Sequence, residues 1–198
     1  MTATALVSAC GEVVDLAVDR WRDPPDEVEL GLLASLPDPV LDVGCGPGRI
    51  VAALAAAGRM ALGVDPSPTA VDEARRRRAP VLRRSVFGLL PGERRWGTVL
   101  LLDGNVGIGG DPVTLLRRAA QLLRAGGEVM AEVEPPGTGT RSLTVRVVRD
   151  GRDATTGPWF PWARVGADAF GPLATGAGLR PASLASASDR WFARAVKP

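Results

Sequence analysis

Histidine and tyrosine are absent from the 198 residues, and lysine occurs once, as Lys197. Without imidazole, the side chain that titrates near neutral pH, Ser-His-Asp triads and histidine-ligated metal sites are excluded, and no metal site is expected. Chemistry is left to carboxylates, arginine, the backbone or a bound cofactor. Two cysteines, Cys10 and Cys45, are too few for a disulfide framework. No apolar run is long enough to cross a bilayer. Residues 1–18 lack the basic start of a signal peptide and include Glu12 and Asp15, so a cytoplasmic location is expected. A formal charge of +2 provides little field to attract a polyanion. The one dense basic run, Arg75 to Arg78, ends a predicted helix, where cations suit the dipole. Nucleic acid is therefore not an expected partner, and a monomer and a homodimer both remain open.

A hydrophobic fraction of 45% is enough to bury one core, and the length fits a single domain. The most informative stretch is Val40-Leu41-Asp42-Val43-Gly44-Cys45-Gly46-Pro47-Gly48-Arg49. An apolar run ending near a carboxylate breaks into three glycines and passes directly into a helical pattern, which reads as strand, tight turn, helix. Glycine permits positive φ and close approach of a ligand to the main chain, and such a turn delivers the ligand to a helix N-terminus. The spacing Gly44-x-Gly46-x-Gly48 is one residue shorter than the dinucleotide fingerprint. A second short strand follows at residues 60–65 and ends in Asp65, whose two oxygens can accept both hydroxyls of a ribose. Cys45, inside the turn, reads as a small packing residue.

These residues resemble motif I of the class I S-adenosylmethionine-dependent methyltransferases, whose usual form is close to V-L-D-x-G-C-G-x-G. Asp65-Pro66-Ser67 resembles the family's segment after the second strand, and Leu123-Arg124-Ala125-Gly126-Gly127 resembles its Leu-Lys-Pro-Gly-Gly landmark. The resemblance implies an α/β, Rossmann-like fold with a mostly parallel seven-stranded sheet of order 3-2-1-4-5-7-6 and helices on both faces. It implies S-adenosyl-L-methionine as cofactor and S-adenosyl-L-homocysteine as product. Cofactor contacts are expected at Asp42, Gly44, Cys45, Gly46, Gly48, Asp65, Pro66, Ser85, Val86, Asp103 and Asn105. Where the family often carries an adenine-binding acid after the third strand, this chain has Ser85-Val86-Phe87, so Ser85 or the Val86 amide is expected to substitute.

The remaining elements are read in order. Residues 7–18 suggest a helix, residues 19–25 a loop, and residues 26–36 a second helix with Val28, Leu32 and Leu36 at helical spacing. Residues 1–38 are thus expected as a helical cap, 39–134 as the cofactor-binding core and 135–198 as the substrate-side half of one domain. A third strand is expected at residues 80–86 and a fourth at residues 96–103, uniformly apolar as in a sheet covered on both faces. A flexible loop follows, Asp103-Gly104-Asn105-Val106-Gly107-Ile108-Gly109-Gly110. Asp111 then caps a helix that Pro112 opens and Gly126-Gly127 close. Residues 128–134 and 143–148 read as strands, 157–164 as a loop, 167–176 as a helix, and 179–186 and 190–196 as a closing strand pair.

In open parallel sheets ligands bind where strand order reverses; here that lies between the strand ending in motif I and the strand ending in Asp103. Methyl transfer needs positioning more than protein chemistry, and Asp103 is the candidate catalytic group, either as a base or as a contact to the cofactor's amino end. Glu132 and Glu134 are weaker candidates. The Asn105-Val106-Gly107-Ile108 sequence lacks the pattern that accompanies adenine methylation in nucleic acid. Arg20, Trp21, Asn105, Trp159, Trp162 and Arg164 are the candidate contacts to a small-molecule acceptor, expected to be aromatic or anionic. The alternatives are a non-catalytic S-adenosylmethionine-binding accessory protein, an NAD(P)-dependent oxidoreductase sharing the glycine turn and Asp65, and a tRNA or rRNA methyltransferase.

Overall fold

The computed structural model describes residues 4–15, 18–149, 154, 155 and 157–198. The chain opens with β1 (Thr4–Ser8), β2 (Val13–Asp15), α1 (Val18–Arg22) and α2 (Glu27–Ala34). The alternating core follows: β3 (Val40–Val43), α3 (Arg49–Ala56), β4 (Ala61–Asp65), α4 (Pro68–Arg76), β5 (Val81–Arg83) and β6 (Trp96–Leu101). A 3-10 turn at Asn105–Gly107 leads to α5 (Pro112–Leu122) and β7 (Leu123–Val133). The last part comprises β8 (Thr140–Arg149), β9 (Ala154–Thr155), β10 (Phe160–Val165), α6 (Ala167–Gly176), β11 (Arg180–Ala187) and β12 (Arg190–Val196).

Seven strands form the main sheet in the spatial order β5-β4-β3-β6-β7-β12-β11. Counted along the chain within that sheet, the order is the expected 3-2-1-4-5-7-6. β3, β4, β5, β6 and β7 pair in parallel, and β12 runs antiparallel to both of its neighbours. Every residue of β3 and β6 is buried, because helices cover both faces. The pleat divides the side chains. Leu41, Val43, Val99, Leu101, Val129 and Ala131 pack with Leu115, Leu116, Ala119, Phe170 and Ala174 of α5 and α6. Val40, Leu100 and Met130 face the other way, onto Leu33 and Leu36 at α2 and Ile50 and Leu54 of α3. Helix starts follow local chemistry: Ser67 accepts from Ala70 N, and Asp111 accepts from Val113 N and Thr114 N, each with proline at the first helical position. The closing hairpin turns on Ser188 and Asp189, both at positive φ, as a two-residue turn that matches strand twist requires.

A second, antiparallel sheet was not anticipated. Its order is β10-β8-β1-β2, with β9 also on β8. The helix expected over residues 7–18 is replaced by a hairpin, in which Gly11 at φ 85° and the Ser8 N to Glu12 O bond turn β1 into β2. Pairing of β1 with β8 across more than a hundred residues overrides the local helical pattern; residues 16 and 17 lie outside the described residues. The first 38 residues are therefore two strands and two helices. Residues 19–22, expected as loop, fall in α1, and residues 160–164, expected as loop, fall in β10. The β7 strand begins at Leu123, so Gly126 and Gly127 lie within it instead of closing α5. The third main-sheet strand is shorter than expected, at Val81–Arg83.

The small sheet is stitched onto the carboxyl end of the main one. Glu134 N donates to Val165 O at 2.9 Å and Ala167 N to Glu134 O at 2.8 Å. Arg164 donates to Glu134 Oε1 at 2.6 Å and to Glu12 Oε1 at 2.5 Å, tying the β1–β2 turn and β10 to the end of β7.

Candidate functional site

Where β3 and β6 diverge, a cavity of about 520 Å³ opens between the glycine turn, α1, α4 and the inner face of the small sheet. That volume lies within the range of small-molecule and cofactor sites, about 300–1,000 Å³.

The three motif glycines sit at φ 71°, 52° and 76° but do different work. A Cβ on Gly44 would come within 2.7 Å of Asn105 Nδ2, and one on Gly48 within 2.8 Å of Ala74 Cβ. Gly44 thus accommodates the loop after β6, and Gly48 the packing of α4. Gly46 has nothing within 4 Å of its Cβ position, so its backbone is open to a ligand. Gly44 and Gly46 line the cavity together with Cys45, whereas Gly48 does not. Cys45 is buried, burial pushes its thiol up, and its Sγ would lie 2.6 Å from a Cβ on Gly63. It is a packing residue, as its size suggested.

Asp65 is oriented by the backbone on both oxygens: Gly46 N donates to Oδ2 at 3.0 Å and Ser67 N to Oδ1 at 2.8 Å. Burial raises its carboxyl above the usual range against those two bonds. Asp65 lines the cavity beside Pro66, Ser67 and Thr69. Asp42, 3% exposed at the end of β3, is pushed up to about 7 by burial, opposed by Arg49 and helped by the charges of Asp103 and Asp65.

A charged network surrounds the other end of the turn. Arg49 clasps Glu29 through two bonds of 2.5 and 2.6 Å and reaches Asp103 Oδ2 at 3.3 Å. Arg20 of α1 pairs with Asp103 Oδ1, and lies 3.7 Å from Glu132. Arg190 joins Glu132 at 2.8 and 2.9 Å, Glu29 at 3.0 Å and Asp26 at 3.0 Å. Although burial works against it, Glu29 is held at about 2 by Arg49, the Asp26 N–H and Arg190. Asp103, at φ 52°, therefore has a guanidinium on each oxygen, and its N–H donates to Glu132 at 3.0 Å. Glu132 enters the site through these contacts, while Glu134 belongs to the small-sheet tie.

The loop expected to be flexible is closely held. Asn105 Nδ2 donates to Val43 O at 2.9 Å and Gly44 O at 3.0 Å, and a Cβ on Gly107 would lie 1.9 Å from Ala163 O. Ser85 and Val86 line the cavity near Arg84. Ser85 Oγ accepts from Phe87 N at 3.3 Å.

Among the expected acceptor contacts, Trp21, Asn105 and Trp162 line the cavity. Arg20 is drawn away to Asp103. Arg164 is spent on Glu12 and Glu134, and Trp159 is 45% exposed beneath the Arg146 guanidinium at 4.8 Å; neither borders the cavity. Sequence reasoning missed Leu6, Val147 and Phe160, which line it from the small sheet. Leu6 pairs with Val147 across β1 and β8, and Phe160 meets Trp162 edge-on at 6.3 Å. For Val147 and Phe160 the signal was the alternation of apolar residues in β8 and β10, whereas Leu6 stands in the short apolar run of β1. Arg49 was also missed, although a charge directly after the third glycine, opening an otherwise apolar helix, was visible.

Residues 40–127 match a family model described as a methyltransferase domain. The structure is similar to the S-adenosylmethionine-dependent methyltransferase of Bacteroides fragilis in complex with S-adenosyl-L-homocysteine, with TM-score 0.78 and 21% identity over 99% of this chain and 88% of that one. It is similar to 1,6-didemethyltoxoflavin-N1-methyltransferase of Burkholderia thailandensis, solved with 1,6-didemethyltoxoflavin and S-adenosylhomocysteine, with TM-score 0.64 and 22% identity over 91% and 82% of the two chains. The CcbJ methyltransferase of Streptomyces caelestis gives TM-score 0.64 and 19% identity over 85% and 93%. At these identities the likeness is one of fold. Comparison with curated proteins gives no match.

Proposed function

We propose that the chain is a class I S-adenosylmethionine-dependent methyltransferase and that it methylates a small, planar, largely apolar molecule held against its second sheet. The observation that carries this reading is the two-sided cavity. One side is the glycine turn with Asp42 and Asp65; the other is a wall of Leu6, Trp21, Val147, Phe160 and Trp162. Both neighbours named above that were solved with S-adenosylhomocysteine, and the 1,6-didemethyltoxoflavin bound by one of them, support a cofactor and an acceptor of these kinds.

The residues present fit S-adenosyl-L-methionine. The open backbone at Gly46 leaves room that a Cβ would fill, and the oriented Asp65 carboxylate suits a ribose diol. Asp42 and Asp103 place negative charge toward the amino-acid end, and Pro66, Ser85 and Val86 form the adenine side, with no acid at that position. When bound, the cofactor supplies a methyl group made electrophilic by its sulfonium. The protein's part is to hold the acceptor in line and to keep water out. Trp21 on α1 and Trp162 on β10 close over the acceptor from two directions. With a guanidinium on each oxygen, Asp103 suits the holding role better than that of a base. We take residues 1–198 as one catalytic unit, with 39–134 binding the cofactor and the small sheet selecting the acceptor.

The test is to incubate the protein and methyl-labelled S-adenosylmethionine with a cell extract separated by ultrafiltration into low-mass and macromolecular fractions. Label entering the low-mass fraction, and reduced by Trp162→Ala, is expected. Label entering RNA or protein alone contradicts the reading.

A further inference from the structure

The two edges of the main sheet differ in kind, and from that difference we infer that the chain forms a twofold homodimer in which β11 pairs with β11 of a second copy.

At one edge, β5 is three residues long and ends in Arg83, with Arg84 next. Shortness and charge are the usual guards of a strand whose outer N–H and C=O groups have no neighbour. The small sheet is guarded likewise: β2 has three residues, and β10 is met on its outer side by the bridge between Ile108 and Trp162. At the other edge of the main sheet, β11 runs for eight residues, seven of them exposed, and Pro181 to Ala187 carry no charge. Pro181 and the register shift between Pro181 and Ser183 blunt only the start of this strand. Every residue after Pro181 keeps an N–H to donate.

The side chains of β11 suit a copy of itself. Leu184 lies opposite Ala193 and Ala185 opposite Phe192, and opposed residues share a face. Leu184 therefore stands on the α6 face, where Ala193 joins the core, and is 48% exposed; Ser183 and Ala185 stand on the other face. Antiparallel pairing about a twofold axis near Leu184 sets the two Leu184 side chains beside each other on one face and only small side chains on the other. It also brings Arg180, at the start of one strand, toward Asp189, just past the end of its twin. Neither Arg180 nor Asp189 has an ion pair within its own chain among the described residues, whereas Arg190 and Arg194 of β12 are matched to carboxylates. The contact is self-complementary, so it closes at two copies. One sheet then runs through both copies, and each cavity, between β3 and β6, is separated from the contact by β12 and β7.

The test is sedimentation velocity from about 1 to 200 µM, because one strand pair buries less than the roughly 1,600 Å² of a standard interface and dissociates on dilution. The wild type is expected to shift from monomer toward dimer across that range. Leu184→Lys, which sets two ammonium groups side by side at the axis, is expected to stay monomeric throughout, as is Ala185→Lys on the other face. Leu89→Lys, at a site 81% exposed in the segment after β5, is expected to associate like the wild type. Circular dichroism identifies the variants that remain folded. A wild type still monomeric at the highest concentration overturns the inference. So does a dimer that survives in either folded lysine variant of β11, or one lost equally in Leu89→Lys, which would put the contact elsewhere.

Discussion

Asn105 braces Gly44: its Nδ2 donates to the Gly44 carbonyl at 3.0 Å, and a Cβ on Gly44 would lie 2.7 Å from that same nitrogen. The loop after β6 thus fixes the loop after β3, and the two sides of the crevice are set together. Gly44→Ala carries about 1–2 kcal/mol of strain at positive φ and also displaces Asn105. The expected result is a clearly lower melting temperature together with loss of S-adenosylmethionine binding in a calorimeter.

Gly46→Ala separates binding from folding. Nothing in the protein meets a methyl group at Gly46, so only the φ 52° strain opposes it, about 1–2 kcal/mol. The variant is expected to remain folded by circular dichroism and to bind S-adenosylmethionine at least about tenfold more weakly, a loss of about 1.4 kcal/mol. Unchanged affinity would mean that the ligand does not rest on this backbone.

Arg20→Ala tests how α1 is held. Residues 18–22 make one short helix, too short to stand alone, and Arg20, Trp21 and Arg22 lie outside the three packed core clusters. Its ties are polar: Arg20 to Asp103 and Glu132, Arg22 to Glu73 at 3.7 Å, and Arg77 Nη2 to Arg22 O at 2.8 Å. Loss of a partly exposed ion pair costs little stability, about 1 kcal/mol or less. The melting temperature is therefore expected to shift slightly, while S-adenosylhomocysteine leaves severalfold faster in stopped-flow fluorescence. Added salt is expected to speed release from the wild type more than from the variant.

Stability is expected to fall in acid through Glu29. Its folded value, about 2 against an ordinary 4.5, is depressed, so the folded state gains from its charge above pH 4.5. That gain is lost as pH falls from 4.5 toward 2. The slope of urea-unfolding free energy across this window is expected to be shallower in Glu29→Gln, which also leaves Arg49 and Arg190 short of a partner and less stable at neutral pH.

Asp42 has the opposite sign. Its value is raised to about 7 from 3.8, so the folded state loses stability as pH rises between those values and carries the full penalty above 7. Asp42→Asn is expected to melt higher than wild type above neutral pH while binding S-adenosylmethionine more weakly. A carboxylate kept at a stability cost is consistent with a binding role.

The cofactor half was legible because its signals are local. The strand-turn-helix around Gly44, the acid ending β4, and the Asp111-Pro112 cap are each written within a few residues, and none depends on distant pairing. The acceptor half was not. Leu6 meets Val147 only after β1 crosses to β8, and the apolar run of residues 5–7 was too short to outweigh a helical reading. Arg164 and Arg20 were expected to contact the acceptor, but they pair instead with Glu12, Glu134 and Asp103, which are 152, 30 and 83 residues away. Sequence spacing cannot show which charges neutralise one another and which face a ligand.

The most direct measurement is calorimetric titration of the protein with S-adenosylmethionine, S-adenosylhomocysteine, NADH and NADPH, with Asp65→Ala alongside. The account predicts that the first two bind, that the nicotinamide cofactors do not, and that the variant loses at least about tenfold in affinity while staying folded. Binding of a nicotinamide cofactor alone, or Asp65→Ala binding S-adenosylmethionine as tightly as wild type, would contradict it.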